Sequence, residues 1–100
     1  MKQRFLVVYE HCKRNYGGFA PDIPGCISTG KTLKNVRELM REALNAHLEW
    51  MAEDGDEMPK PVTTAFDFAE YADESVDHYV VEWLEIEVPE TNVKTEALAS

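Results

Sequence analysis

Apolar residues run almost without interruption through Arg4-Phe5-Leu6-Val7-Val8-Tyr9-Glu10. A stretch so rich in β-branched and aromatic residues predicts a strand, and its near-continuous apolarity predicts a central one. His11 to Gly18 is polar and contains Gly17-Gly18, so it predicts a hairpin connection. Short strands are expected at Tyr16–Ala20 and Cys26–Thr29, which completes an antiparallel meander. At Thr32 the period changes. Leu33, Val36, Met40, Ala43, Leu44, Leu48 and Met51 form one face of a helix of about five turns, broadened by Leu39 and Ala46. Arg37, Glu38, Arg41, Glu42, Asn45 and Glu49 fill the rest, and Asp54-Gly55 stops it.

Met58-Pro59-Lys60-Pro61 then predicts a stiff, extended connector. Residues 62–77 are acidic with scattered aromatics (Phe66, Phe68, Tyr71), a pattern that leaves a short helix, an edge strand and an ordered loop all open. Tyr79–Val88 is the clearest strand. Tyr79, Val81 and Trp83 share one face, and Leu84, Ile86 and Val88 continue one residue out of phase. That shift predicts a bulge near Trp83-Leu84, or a strand buried on both faces in its middle. Pro89 ends it.

The order β-β-β-α-β implies an α+β domain over residues 1–89: a three- to four-stranded, mainly antiparallel sheet with one long helix packed on one face. Residues 90–100 read as a polar, mobile tail. The face away from the helix is expected to carry large residues such as Phe5 or Trp83. A second subunit is the economical cover, giving a homodimer or higher oligomer.

The strands and the helix meet at Pro21-Asp22-Ile23-Pro24-Gly25-Cys26-Ile27-Ser28-Thr29-Gly30. Prolines fix φ and glycines open angles that other residues resist, so the stretch reads as turn, short strand, turn. Pro21, Asp22, Pro24, Gly25 and Gly30 are assigned structural roles, and Thr32 is the expected helix cap. A carboxylate at Asp22 could hold a cation or act in catalysis. Acceptance of turn amides is the commoner use.

The net charge of −9 is unevenly spread. Residues 1–50 hold eight Lys or Arg against five Asp or Glu, a net +3, and residues 51–100 hold two against fourteen, a net −12. The acidic half argues against broad phosphate binding and favours a basic partner or simple solubility. Cys12 and Cys26 are too few for a disulfide framework and lack metal spacing. His11, His47 and His78 are not at ligand spacing either, and His47 reads as a packed helix histidine. Ser28-Thr29 lacks a nucleophile elbow, and the glycines form no phosphate loop. No metal, cofactor or catalytic residue is assigned. No segment has the layout of a signal peptide or membrane span, so a cytoplasmic location is the default. The mixed aromatic and acidic segment 66–87 suits docking to a basic protein, with Phe68, Tyr71, Asp73, Glu74 and Tyr79 as candidate partner-binding residues.

Gly18-Phe19-Ala20 followed by Pro21-Asp22-Ile23-Pro24-Gly25-Cys26, Gly30 and Thr32-Leu33 resembles the HicB-like antitoxin domain. Ala43-Leu44, Leu48, Glu53-Asp54-Gly55 and Pro59-Lys60-Pro61 fall in matching order, so the resemblance covers about residues 4–88. It implies a partial RNase H-like fold without that nuclease's catalytic acids. It also implies a partner: a HicA-type toxin, a small mRNA-cleaving ribonuclease whose active site the antitoxin covers. Many members carry a C-terminal helix-turn-helix or ribbon-helix-helix module. Only twelve residues follow Val88, so neither that module nor direct contact with nucleic acid is expected. The acidic half could mimic the charge of the toxin's RNA. Two alternatives remain: an interaction domain with another partner, and a divergent metal-dependent nuclease using Glu10, Asp22 and a third acid.

Overall fold

The computed structural model describes residues 1–71 and 73–90, with the side chain of Tyr71 excepted. The chain runs β1 (Lys2–Cys12), β2 (Asn15–Phe19), β3 (Ile27–Gly30), α1 (Leu33–Glu53), α2 (Phe68–Tyr71) and β4 (His78–Glu87). The strands form one antiparallel sheet in the order β3-β2-β1-β4, and α1 packs on one face. This is the expected α+β arrangement. The tail expected over 90–100 lies, from residue 91 on, outside the described residues.

Three local expectations are corrected. The β1–β2 hairpin turns at Lys13-Arg14, because Cys12 pairs with Asn15, while Gly17 and Gly18 lie inside β2. Lys13 supplies the positive φ, 53°, at the first turn position. Gly18 is a packing glycine: a Cβ there would sit 3.1 Å from the Tyr9 ring and 3.0 Å from Ser28 Oγ. The β1–β4 register is continuous from Lys2↔Glu87 to His11↔His78, so β4 has no bulge. Its even positions face α1 throughout. The apparent phase shift arises because one of them, Glu82, is polar. Finally, Phe5 pairs with Leu84 under the helix and is fully buried, while Leu6, Val8 and Trp83 occupy the opposite face.

Thr32 caps α1. Its extended backbone ends the preceding turn, and its Oγ1 accepts from the Asn35 amide at 3.0 Å. At the other end Asp54 is the C-cap, and Gly55 follows with φ 75°. Val36, Met40, Leu44, Leu48 and Ala52 are the buried stripe, and the first four pack in one cluster with Phe5, Val7, Leu84 and Ile86. Each large side chain buried there contributes about 1.5–3 kcal/mol.

One polar network interrupts this apolar layer. The Tyr9 hydroxyl donates to Glu82 Oε1 at 2.8 Å. Arg37 donates to both Glu82 oxygens, from Nε at 2.7 Å and Nη2 at 3.0 Å. Burial, then the hydrogen bond to Glu82, pushes the Tyr9 phenol above its ordinary pKa near 10.0. The neutral phenol is thus the form that folding favours. This contribution is complete below pH 10 and is lost as the pH rises, because the unfolded chain ionises first. The urea midpoint should fall above pH 10 and fall less steeply in Tyr9→Phe.

The proline-glycine stretch is tied down at several points. The Ile23 amide donates to Ala20 O, the Cys26 amide donates to Ile23 O, and Ile23 and Cys26 enter the core. Burial pushes the Cys26 thiol up. Asp22 serves a distant segment. Its Oδ2 accepts from the Thr63 amide at 2.9 Å and its Oδ1 from the Thr63 hydroxyl at 2.6 Å. Asp22→Ala should free this clasp at a cost of about 1–2 kcal/mol. Amide exchange should then quicken at Thr63 well before the core opens.

Candidate protein-interaction face

The described residues cover the sheet face away from α1 only in part. Leu6 and Val8 are buried there, with Phe19 and Val81 on either side of Val8. The segment clasped at Thr63 brings Phe66 against Phe19, with ring centroids 6.1 Å apart, and against Tyr79 at 5.3 Å. Phe68 stands edge-on to Phe66 at 4.9 Å and also meets Tyr79 at 5.5 Å. Edge-to-face rings at these spacings attract beyond their area burial. The short helix α2 holds Phe68 in place, because Asp67 Oδ1 accepts from the Ala69 and Glu70 amides. Large apolar side chains remain open on this face: Phe68 is 52% exposed and Trp83 40%, and Ile27, in register with Phe19 at the β3 edge, is 70% exposed. The Arg4 guanidinium lies 5.8 Å from the Trp83 ring.

Carboxylates flank these aromatic residues along the segment. Asp67, Glu70, Asp73, Glu74 and Asp77 are all exposed. Between Pro61 and Glu90 the sequence contains no Lys or Arg. Asp73 Oδ1 accepts from the Ser75 amide and hydroxyl, each at 2.9 Å, which holds its carboxyl below the usual range. Partial burial, then the charges of Glu10 and Asp73, push the Tyr79 phenol up.

Of the partner-binding candidates, Phe68 and Tyr79 are in ring contact, and Asp73 lies close enough to Tyr79 to act on its phenol. Glu74 is exposed in the turn after Asp73. Tyr71 ends α2, and its side chain is outside the described set. Phe66 and Trp83 lie in the segment 66–87 expected to dock a partner, and Trp83 is on the expected face, although neither is among the named candidates; Phe19 carries no such signal. The alternation Phe66-Asp67-Phe68 was the available signal for Phe66, since it places two rings in one short element.

Two other groupings lie elsewhere. At one end of the sheet His11 stacks on His78 at 4.8 Å, Tyr16 leans on His11 at 4.6 Å, and His11 Nδ1 is 3.1 Å from Asp77 Oδ2. No group of three metal-ligating side chains occurs among the described residues. Beside β3, an open groove of about 300 Å³ is lined by Gly25, Cys26, Ile27, Ala43, Ala46, His47 and Trp50. His47 stands edge-on to Trp50 there. No helix among the described residues is long and apolar enough to cross a membrane.

The sequence profile of the HicB-like antitoxins of bacterial toxin–antitoxin systems matches residues 5–98. The chain belongs to the HicB-like antitoxin family. It is 35% identical over 71 residues to an uncharacterized 14.9 kDa protein from the rep–hol intergenic region of Haemophilus phage HP1, covering 69% of this chain and 53% of that protein. The chain thus spans about half the length of that phage relative. It is also 38% identical over 53 residues to a UPF0150 protein of Thermotoga maritima, covering 53% of this chain and 67% of the other. Solved HicB structures share the fold. The N-terminal domain of Burkholderia pseudomallei HicB superimposes with a TM-score of 0.56 at 27% identity, covering 88% of this chain and all of that one. A chain of the HicA3–HicB3 toxin–antitoxin complex superimposes with a TM-score of 0.59 at 21% identity, covering 85% and 99%. The HicB-like fold is therefore the one that carries the acidic aromatic face.

Proposed function

We propose that this HicB-like chain binds a small, basic, HicA-type mRNA-cleaving toxin and covers its active site, acting as an inhibitor and not as an enzyme. The observation that carries the reading is exposed Phe68, in ring contact with Phe66 and Tyr79, on a segment whose Asp67, Glu70, Asp73 and Glu74 form no ion pair among the described residues, with exposed Trp83 farther along β4 from Tyr79. An aromatic centre with a charged rim is what a tight, steered protein interface needs. A ribonuclease must itself be basic to hold RNA, so an acidic rim presents the charge that its own substrate presents. The solved HicA3–HicB3 complex supports the choice of partner. The nuclease alternative gains nothing from Asp22, whose two oxygens both accept hydrogen bonds from Thr63. In this reading the chain works as a homodimer or higher oligomer in the cytoplasm and makes no contact with nucleic acid of its own.

The test neutralises the rim without changing its shape. Asp67→Asn, Glu70→Gln, Asp73→Asn and Glu74→Gln together keep the local amide caps and remove four charges. Association with the toxin should slow by about tenfold or more at low salt, with a flatter salt dependence. An unchanged association rate would show that charge does not guide the encounter.

A further inference from the structure

β4 is an edge of the sheet, and its open side has a definite register. The Val88 amide donates to Met1 O at 2.8 Å. With the pairing Lys2↔Glu87 through His11↔His78, antiparallel alternation makes the even residues of β4 those bonded to β1. The backbone groups of Val81, Trp83 and Glu85 therefore point away from the sheet. Arg41 reaches over from α1 and donates to Glu85 O at 2.7 Å, which closes that end. Val81 and Trp83 are left as an open stretch, and no described strand lies beyond them.

Natural sheets guard such edges with Pro, Lys, bulges or short strands. β4 is ten residues long, is continuous in register, and contains no Pro, Lys or Arg. The charges around it are arranged unequally. Glu82 is matched by Arg37, Glu85 by Lys2 at 3.7 Å, and Glu87 by the amino terminus at 3.1 Å. At the other end, Glu70, Asp73 and Glu74 are exposed, and none of them forms an ion pair among the described residues. A second copy fits less well: its own β4 contains no Lys or Arg to set beside Asp73-Glu74 across the ladder.

We propose that the β4 edge, at Val81 and Trp83, takes an added strand from the partner protein, and that this strand is basic at the end beside Asp73-Glu74 and apolar where it crosses Trp83. This deepens the toxin-binding reading and rests on it for the partner's identity. Main-chain bonds would supply the affinity, and the charged end the direction and register.

The probe is a ten-residue synthetic peptide of alternating Val and Thr with two Lys and an Arg at one end, set against a counterpart with Glu in place of those cations. Backbone amide exchange is followed by NMR on the full chain. The basic peptide should slow exchange at Val81 and Trp83 by about tenfold or more, and the acidic one should not. Val81→Pro should abolish the protection, because that amide serves only the open edge and its loss spares the β1 ladder. Should Val81→Pro fail to fold, the wild-type exchange pattern decides alone. Protection confined to Phe66–Phe68, or none at millimolar peptide, overturns the proposal. So does protection at Val81 and Trp83 that rises with protein concentration without peptide, since that places a second copy there. Toxin binding undiminished by Val81→Pro removes the edge and keeps the antitoxin reading. Peptide protection without toxin binding does the reverse.

Discussion

Gly30→Ala is expected to lower stability by about 3 kcal/mol, and Gly30→Val by more, with the urea midpoint falling at an unchanged slope. The reason is contact and not backbone angle. A Cβ at Gly30 would lie 2.8 Å from the Val36 amide nitrogen, 2.8 Å from Asn35 Oδ1 and 3.0 Å from Val36 Cα. Two of these are main-chain atoms in the first turn of α1, fixed by the Val36 amide bond to Thr32 O. Relief therefore requires β3 to move away from the helix, and Ser28, hydrogen-bonded to Val36 O, moves with it. Two other glycines act as controls. Gly17 has only Ser28 O, at 4.0 Å, near its Cβ position, so Gly17→Ala should change stability by less than about 1 kcal/mol. Gly25 has open space but φ +86°, so Gly25→Ala should cost about 1–2 kcal/mol through the backbone alone. A Gly30→Ala variant as stable as Gly17→Ala would refute this account of how β3 meets α1.

Glu82→Ala is expected to cost about 2–3 kcal/mol, more than either of its partners' truncations. Glu82 is the centre of the network, accepting from the Tyr9 hydroxyl and from two Arg37 nitrogens. Its removal strands the hydroxyl of Tyr9, which is 0% exposed. Arg37 can turn toward water, since 38% of its side chain is already exposed, so the ion pair itself is discounted for screening. Arg37→Ala should cost about 1–2 kcal/mol and Tyr9→Phe about 1 kcal/mol. In a double-mutant cycle Glu82 and Arg37 should couple by about 1 kcal/mol. Additive losses would mean that the bidentate geometry contributes nothing to stability.

Much of the fold was readable because its signals are local. The Thr32 cap, the 33–51 stripe and Gly55 bound α1 to within a residue or two. The apolar run around Phe5–Tyr9 is the central strand β1. What misled was chemistry that only tertiary contact explains. Glu82 broke the phase of β4 because its partners, Tyr9 and Arg37, lie 73 and 45 residues away. Gly17-Gly18 carries the same letters as a turn, but Gly18 makes room for a ring on the neighbouring strand. Residues 62–77 stayed ambiguous because the clasp that orders them joins Asp22 to Thr63, 41 residues apart. A similar separation hid the contact between Phe66 and Phe19.

The most direct measurement is co-expression of this chain with a small, basic HicA-type protein encoded beside it, read by co-purification and by growth. The account predicts a stable complex and rescue from the toxin, with both weakened when the acidic rim is neutralised. A well-folded chain that neither co-purifies with the toxin nor restores growth would contradict it.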